Sequence, residues 1–87
     1  AAKESESAQK ALEAARSNHE EASDRVRIAE LRLADAIKKT GADSARSIAA
    51  RLSLTRANKN LAKSSENVAR AEKALSSEGH RALSSMR

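Results

Sequence analysis

The fold is decided by residues 8–36, which read AQKALEAARSNHEEASDRVRIAELRLADA. Alanine recurs in this stretch every seven residues, at Ala8, Ala15, Ala22, Ala29 and Ala36. A second series follows four residues after each of the first four alanines, at Leu12, His19, Val26 and Leu33. Alternating steps of four and three residues are typical of the seam of a coiled coil. The stretch therefore predicts a long helix with one buried stripe.

The second half of the chain repeats this pattern. The small series consists of Ala50, Ala57, Ser64 and Ala71. The larger series, four residues further on each time, consists of Leu54, Leu61, Val68 and Leu75. Between the two halves, residues 40–44 read TGADS and form the one credible turn in the middle of the chain. We therefore predict an all-α fold, an antiparallel two-helix coiled-coil hairpin with an alanine-rich seam, which could dimerise into a four-helix bundle.

The helix boundaries follow from local signals. We expect a first helix over about residues 3–40, a turn at 40–44, a second helix over about 44–78 and a tail at 79–87. Gly41 suits the left-handed position that ends a helix, and either Asp43 or Ser44 suits the cap that begins the next one. Gly79 interrupts the second pattern and is expected to end that helix.

The register of the hairpin can be predicted as well. If the chain folds between Gly41 and Ala42, paired residue numbers sum to 83, and every layer except that of His19 sets a large side chain against a small one. Such layers let two backbones approach closely and fill space without voids. The polar His19 then meets the polar Ser64. We interpret this pair as a layer that fixes the register, and not as a metal ligand or a catalytic base.

Composition limits what the chain can be. Its 87 residues make one small domain at most, and they include no proline, two glycines, no cysteine and no aromatic residue. The two predicted helices, over about residues 3–40 and 44–78, would form a rod about 55 Å long at 1.5 Å per residue. No run approaches the roughly 20 apolar residues of a membrane span. No residues are predicted as catalytic, cofactor-binding or metal-binding, because the sequence lacks ligand spacing, a paired nucleophile and base, and a phosphate-binding loop. We expect a protein that is not an enzyme and needs no cofactor.

Charge is concentrated in the half of the hairpin next to the turn. Residues 25–59 hold nine basic and three acidic residues, a net charge of +6, whereas the rest of the chain is nearly neutral. A basic rod end would attract an anionic surface such as nucleic acid, lipopolysaccharide or the acidic rim of a protein. The alternative interpretation is that these residues only keep a helical rod solvated.

The same half carries apolar residues that the seam does not use, namely Ile28, Leu31, Ile37, Ile48 and Leu52. Clustered apolar surface indicates a contact site, which another helix of a dimer or of a parent protein, or a foreign partner, could cover. The predicted partner-binding residues at the tip are Arg32, Ile37, Lys38, Lys39, Arg46, Ile48, Arg51 and Leu52.

Three segments carry a resemblance to a known family. They are LADAI at residues 33–37, ANKNLA at residues 57–62 and ALSS at residues 74–77. With the surrounding pattern over residues 20–77, they resemble the helical-hairpin receptor-binding domain of colicin-type bacteriocins. That resemblance implies a secreted protein whose hairpin tip binds an outer-membrane receptor. The tips of that family carry a longer, more irregular segment than the tight turn here, so no contact residue is transferred from it.

Two other functions fit the same pattern. One is a general protein-assembly coiled coil, including a homodimer. The other is a dimeric RNA-binding hairpin of the type found in the plasmid copy-number regulator Rop, which has a similar alanine-layered seam. Without an aromatic residue to stack on bases, RNA could be recognised only through its shape and its phosphates. A protein partner is therefore the favoured prediction.

Overall fold

The chain folds into two long helices that pack against each other along their lengths. The computed structural model describes the backbone of residues 2–85 and the side chains of residues 5–77. Helix α1 spans Ala2–Thr40 and helix α2 spans Ala45–Ser85. The short connection makes the helices antiparallel, and the rod measures 66 × 13 × 12 Å. The predicted all-α helical hairpin is confirmed.

Burial follows the predicted seven-residue pattern. Every predicted seam residue is buried or half-buried, and the most buried apolar ones are Leu12, Ala22, Val26, Ala29 and Ala36. The seam also extends one step closer to the turn than predicted, because Ser47 lies seven residues before Leu54 and is 0% exposed. The alternation of four and three residues therefore determines which side of each helix faces its neighbour.

The turn is built from one glycine and one serine cap. Gly41 has a φ of 87°, and its N–H donates to the carbonyl oxygen of Ile37 at 2.9 Å, which closes the end of α1 in the left-handed geometry expected there. Ser44 begins α2, because its Oγ accepts a hydrogen bond from the Ser47 N–H at 3.1 Å. Of the two predicted caps, the structure uses Ser44 in this bond.

Three hydroxyl groups tie the turn together. Thr40 Oγ1 donates to the carbonyl oxygen of Ala36 at 2.7 Å, and Ser47 Oγ donates to the carbonyl oxygen of Gly41 at 2.6 Å. Ser44 Oγ lies between them, 2.7 Å from Thr40 Oγ1 and 3.0 Å from Ser47 Oγ. The Thr40 bond joins the end of α1 to its own preceding turn, and the Ser47 bond joins the first turn of α2 to the connection. The two helices are therefore joined by a connection with a defined geometry.

Substituting the two glycines should change stability in opposite directions. Gly41→Ala is expected to lower the free energy of unfolding by about 1 to 2 kcal/mol, because an L-residue is strained at positive φ. No atom would lie within 4 Å of the added Cβ, so the loss reports backbone strain alone. Gly79→Ala, inside α2, is expected to stabilise the helix by about 0.5 to 1 kcal/mol. Thermal unfolding followed by circular dichroism measures both, and a loss of stability at both sites would contradict the helical assignment at Gly79.

The polar layer forms with a different partner from the one predicted. His19 is half-buried, and its Nε2 lies 3.0 Å from the Oγ of Ser65, not Ser64. Ser64 is buried, and its short side chain instead donates to the carbonyl oxygen of Leu61 at 2.7 Å. The long imidazole reaches past the seam to the neighbouring exposed serine. The contact between residues 19 and 65 still places the register within one residue of the predicted pairing.

The predicted end of the second helix was wrong. Helix α2 continues through Gly79 to Ser85, so residues 79–85 are not a separate tail, and residues 86–87 lie outside the described part. A glycine inside a helix costs only about 1 kcal/mol and does not remove a hydrogen-bond donor, as proline would. Because the helices hold 39 and 41 residues, the rod is also longer than the predicted length of about 55 Å.

Candidate partner-binding surface

Five large apolar side chains are exposed in the half of the hairpin next to the turn. Ile28, Leu31, Ile37, Ile48 and Leu52 have exposed fractions between 37% and 66%. Elsewhere in residues 5–77, every isoleucine, leucine and valine is buried or half-buried in the seam. Among residues 5–77, exposed isoleucine, leucine and valine side chains are thus confined to residues 28–52, as the sequence indicated.

The seam has two different edges. In an antiparallel pair, the same heptad position from both helices lies toward the same edge of the interface. The small seam residues of both helices therefore lie toward one edge, which we call the alanine edge, and it includes Ala22, Ala29, Ala50 and Ala57. The larger seam residues lie toward the opposite edge, which we call the leucine edge.

The alanine edge is open. Two adjoining hollows there have volumes of about 330 and 220 Å³, and they share Arg25, Ser53 and Ala57 as lining residues. We refer to both together as the groove. The methyl side chains of both small series leave this surface hollow between the helices, although Ala22 and Ala29 are themselves buried in the seam. The sequence already indicated that this edge carries only small side chains, since both small series occupy the same heptad position.

Arginines border the groove. Arg25 and Arg32 of α1 line it on one side and Arg56 of α2 on the other, together with the exposed Ile28. No acidic residue lines either hollow. Among residues 5–77, none of these three arginines is in an ion pair, whereas Arg16 pairs with Glu72 and Arg70 with Glu66 at the open end. The groove is therefore an apolar channel with a positively charged rim.

The eight predicted tip residues are all exposed, but they do not share one face. Their heptad positions place Arg32, Lys39 and Arg46 toward the alanine edge. The same reasoning places Ile37, Ile48 and Arg51 toward the leucine edge, with Lys38 and Leu52 on the outer faces of the helices. Only Arg32 among them lines the groove. All eight lie in the half of the hairpin next to the turn, and the sequence-based prediction did not separate its faces.

The positive charge at the tip is mostly uncompensated. Within residues 25–59 a single ion pair forms, between Lys39 Nζ and Asp35 Oδ2 at 3.1 Å. Both side chains are exposed, and a pair four residues apart on a helix is worth only about 0.3 to 0.5 kcal/mol. The other eight basic residues of this half have no ion-pair partner among residues 5–77. Their combined field extends into solvent over about one Debye length, roughly 8 Å at physiological salt.

The described residues contain no cluster of three or more histidine, cysteine, aspartate or glutamate side chains that could hold a metal ion. Neither helix, as far as the structure describes it, is apolar enough to cross a membrane. His19, the one histidine whose side chain is described, contacts Ser65.

No known protein family, curated protein or solved structure matches this chain.

Proposed function

We propose that the hairpin is a non-enzymatic protein-binding arm whose turn-proximal half, residues 25–59, contacts the partner. One observation carries this proposal: all exposed isoleucine, leucine and valine side chains of residues 5–77 lie within residues 28–52. Exposed aliphatic surface is unfavourable in water, so covering it with a partner contributes favourable free energy to binding. The uncompensated positive charge beside it would speed association with an acidic partner.

The shape of the hairpin suits such a role. A rod 66 Å long holds its turn far from its open end, where α1 begins and α2 ends. The hydroxyl cluster of Thr40, Ser44 and Ser47 defines the geometry at the turn, so the contact residues start from a pre-organised arrangement. Pre-organisation lowers the entropy lost on binding.

The most concrete form of this proposal is a receptor-binding arm of a colicin-type bacteriocin. In that case the tip would bind a protein receptor in the outer membrane of a target cell. A general assembly module would use the same exposed aliphatic side chains to join another protein of the same cell. An RNA-binding hairpin would rely on the eight basic residues of this half that have no ion-pair partner among residues 5–77, and not on the aliphatic ones.

Outer-membrane vesicles from Gram-negative cells provide a direct test. The double substitution Ile48→Ser/Leu52→Ser is expected to weaken saturable binding of the labelled hairpin to these vesicles by about tenfold or more, because two aliphatic side chains are removed from the contact. The matched control is Ala62→Ser/Ala69→Ser, at exposed positions in the open half of the same helix, and it should leave affinity unchanged. Fluorescence anisotropy measures both.

Each of the alternatives gives a different result. The hairpin could still bind after protease treatment of the vesicles, or it could bind equally well to vesicles of lipid and lipopolysaccharide alone. Either result would mean that it binds an anionic surface and not a protein receptor. Tight binding to helical RNA, with log affinity falling linearly with log salt and unaffected by the serine variants, would favour nucleic acid. Equal losses in both double variants would remove the reason to assign binding to the turn-proximal half.

A further inference from the structure

We infer that the groove along the alanine edge binds an acidic amphipathic helix of the partner protein, whose large aliphatic side chains fill it. This inference rests on the proposed function, in that the partner is a protein, and it adds the chemistry of the bound segment. It also assigns the contact to a second surface, distinct from Ile37, Ile48 and Leu52 near the turn.

The shape and lining of the groove call for bulky apolar side chains. Its floor is formed by Ala22, Ala29, Ala50 and Ala57, and Ile28 stands exposed at its side. The larger hollow, of about 330 Å³, reaches the lower end of the range of ligand-binding pockets, about 300 to 1,000 Å³. A helix that inserts leucine or isoleucine there would repeat the pairing of large with small residues that the hairpin uses in its own seam.

The rim of the groove specifies an acidic partner. Arg25 and Arg32 are seven residues apart on α1, so their positions differ by about 10 Å along the helix axis. Arg56 lines the smaller hollow from the opposite helix. A helix lying in the groove with acidic residues two turns apart could therefore pair with both arginines of α1. Arginine binds carboxylates through two parallel hydrogen bonds, which adds orientation to charge attraction.

Charge argues against the other occupants. In a dimer of two hairpins joined groove to groove, three arginines from each copy would face one another without an acidic residue in the lining. A nucleic acid would satisfy the arginines with phosphates, but it would leave the apolar floor and Ile28 without an apolar partner. An acidic amphipathic helix meets both requirements together.

A synthetic peptide is the probe for this inference. We choose a helical peptide of about 18 residues, long enough to exceed the groove, with leucine on one stripe and glutamate beside it. Its matched control carries lysine in place of every glutamate. The labelled glutamate peptide should bind the full hairpin at least about tenfold more tightly than the lysine peptide, measured by fluorescence anisotropy. The double substitution Arg25→Glu/Arg32→Glu should reverse that preference.

A blocking substitution tests the groove itself. Ser53 is exposed and lines both hollows, so Ser53→Phe should fill the groove and weaken peptide binding by about tenfold or more. The control is Asn58→Phe, an exposed position on the same helix that lies toward the leucine edge, and it should change affinity less than about twofold. Circular dichroism confirms that both variants stay helical.

Three results would overturn the inference. Equal affinity for the two peptides would exclude recognition by the arginine rim, and equal affinity of Ser53→Phe and Asn58→Phe for the glutamate peptide would exclude the groove. Self-association in sedimentation that only Ser53→Phe abolishes would assign the groove to a second copy of the chain. In each case the proposed function stands if Ile48→Ser/Leu52→Ser still weakens vesicle binding, and it fails separately if that variant has no effect.

Discussion

Replacing Leu12 by alanine is expected to lower the free energy of unfolding by about 2 to 3 kcal/mol, near the lower end of measured losses for a buried leucine. Leu12 is 7% exposed, and the predicted register sets it against Ala71. The substitution would leave two alanines in that layer and a gap between the helices. A hairpin with a single interface has no second layer that could fill the gap. Urea unfolding followed by circular dichroism gives the value.

Leu31→Ala is the matched control for this experiment. The same side chain is removed from the same helix, but Leu31 is 66% exposed and lies outside the seam. We expect the free energy of unfolding to change by less than about 0.5 kcal/mol. A similar loss in both variants would mean that another surface covers Leu31 in the free protein, as in a dimer. Sedimentation at the same concentration would then identify that dimer.

Enlarging a seam residue beside the turn should be destabilising as well. Ala36→Leu is expected to cost about 1 to 3 kcal/mol, because Ala36 is 4% exposed and the predicted register sets it against the fully buried Ser47. The larger side chain would separate the helices where Thr40 and Ser47 hydrogen-bond to backbone carbonyls. Thermal unfolding measures the loss, and a fall in partner affinity would show that the geometry of the turn contributes to binding.

Ala34→Leu controls for the added side chain. Ala34 lies two residues away on α1 and is exposed, so the same substitution there should change stability by less than about 0.5 kcal/mol. If Ala36→Leu were as stable as the original protein, the helices would have room to move apart at the turn. That result would contradict the prediction that the two backbones lie close together in this layer.

Together these variants separate the scaffold from the contact surface. Leu12 and Ala36 belong to the seam, whereas Ile48, Leu52 and Ser53 are exposed. Substitutions in the first group should reduce stability, and any effect on binding should follow from that loss. Substitutions in the second group should leave stability nearly unchanged and act on the partner directly.

The sequence by itself determined the fold, the seam and the turn. Seven-residue spacing is a local property of a helix, so the two series from Ala8 and from Ala50 identified each buried face without knowledge of the other helix. Gly41 indicated the turn, because glycine adopts positive φ without strain. The five exposed aliphatic residues were also correctly identified, since each one falls outside the seam spacing.

Only the tertiary structure decided the contacts and distances between groups on different helices. The hydrogen bond from Ser47 to the Gly41 carbonyl, the contact of His19 with Ser65 and the dimensions of the groove beside Ala29 all depend on groups from both helices, or from a helix and the turn, at known separations. Local spacing contains no information about such separations.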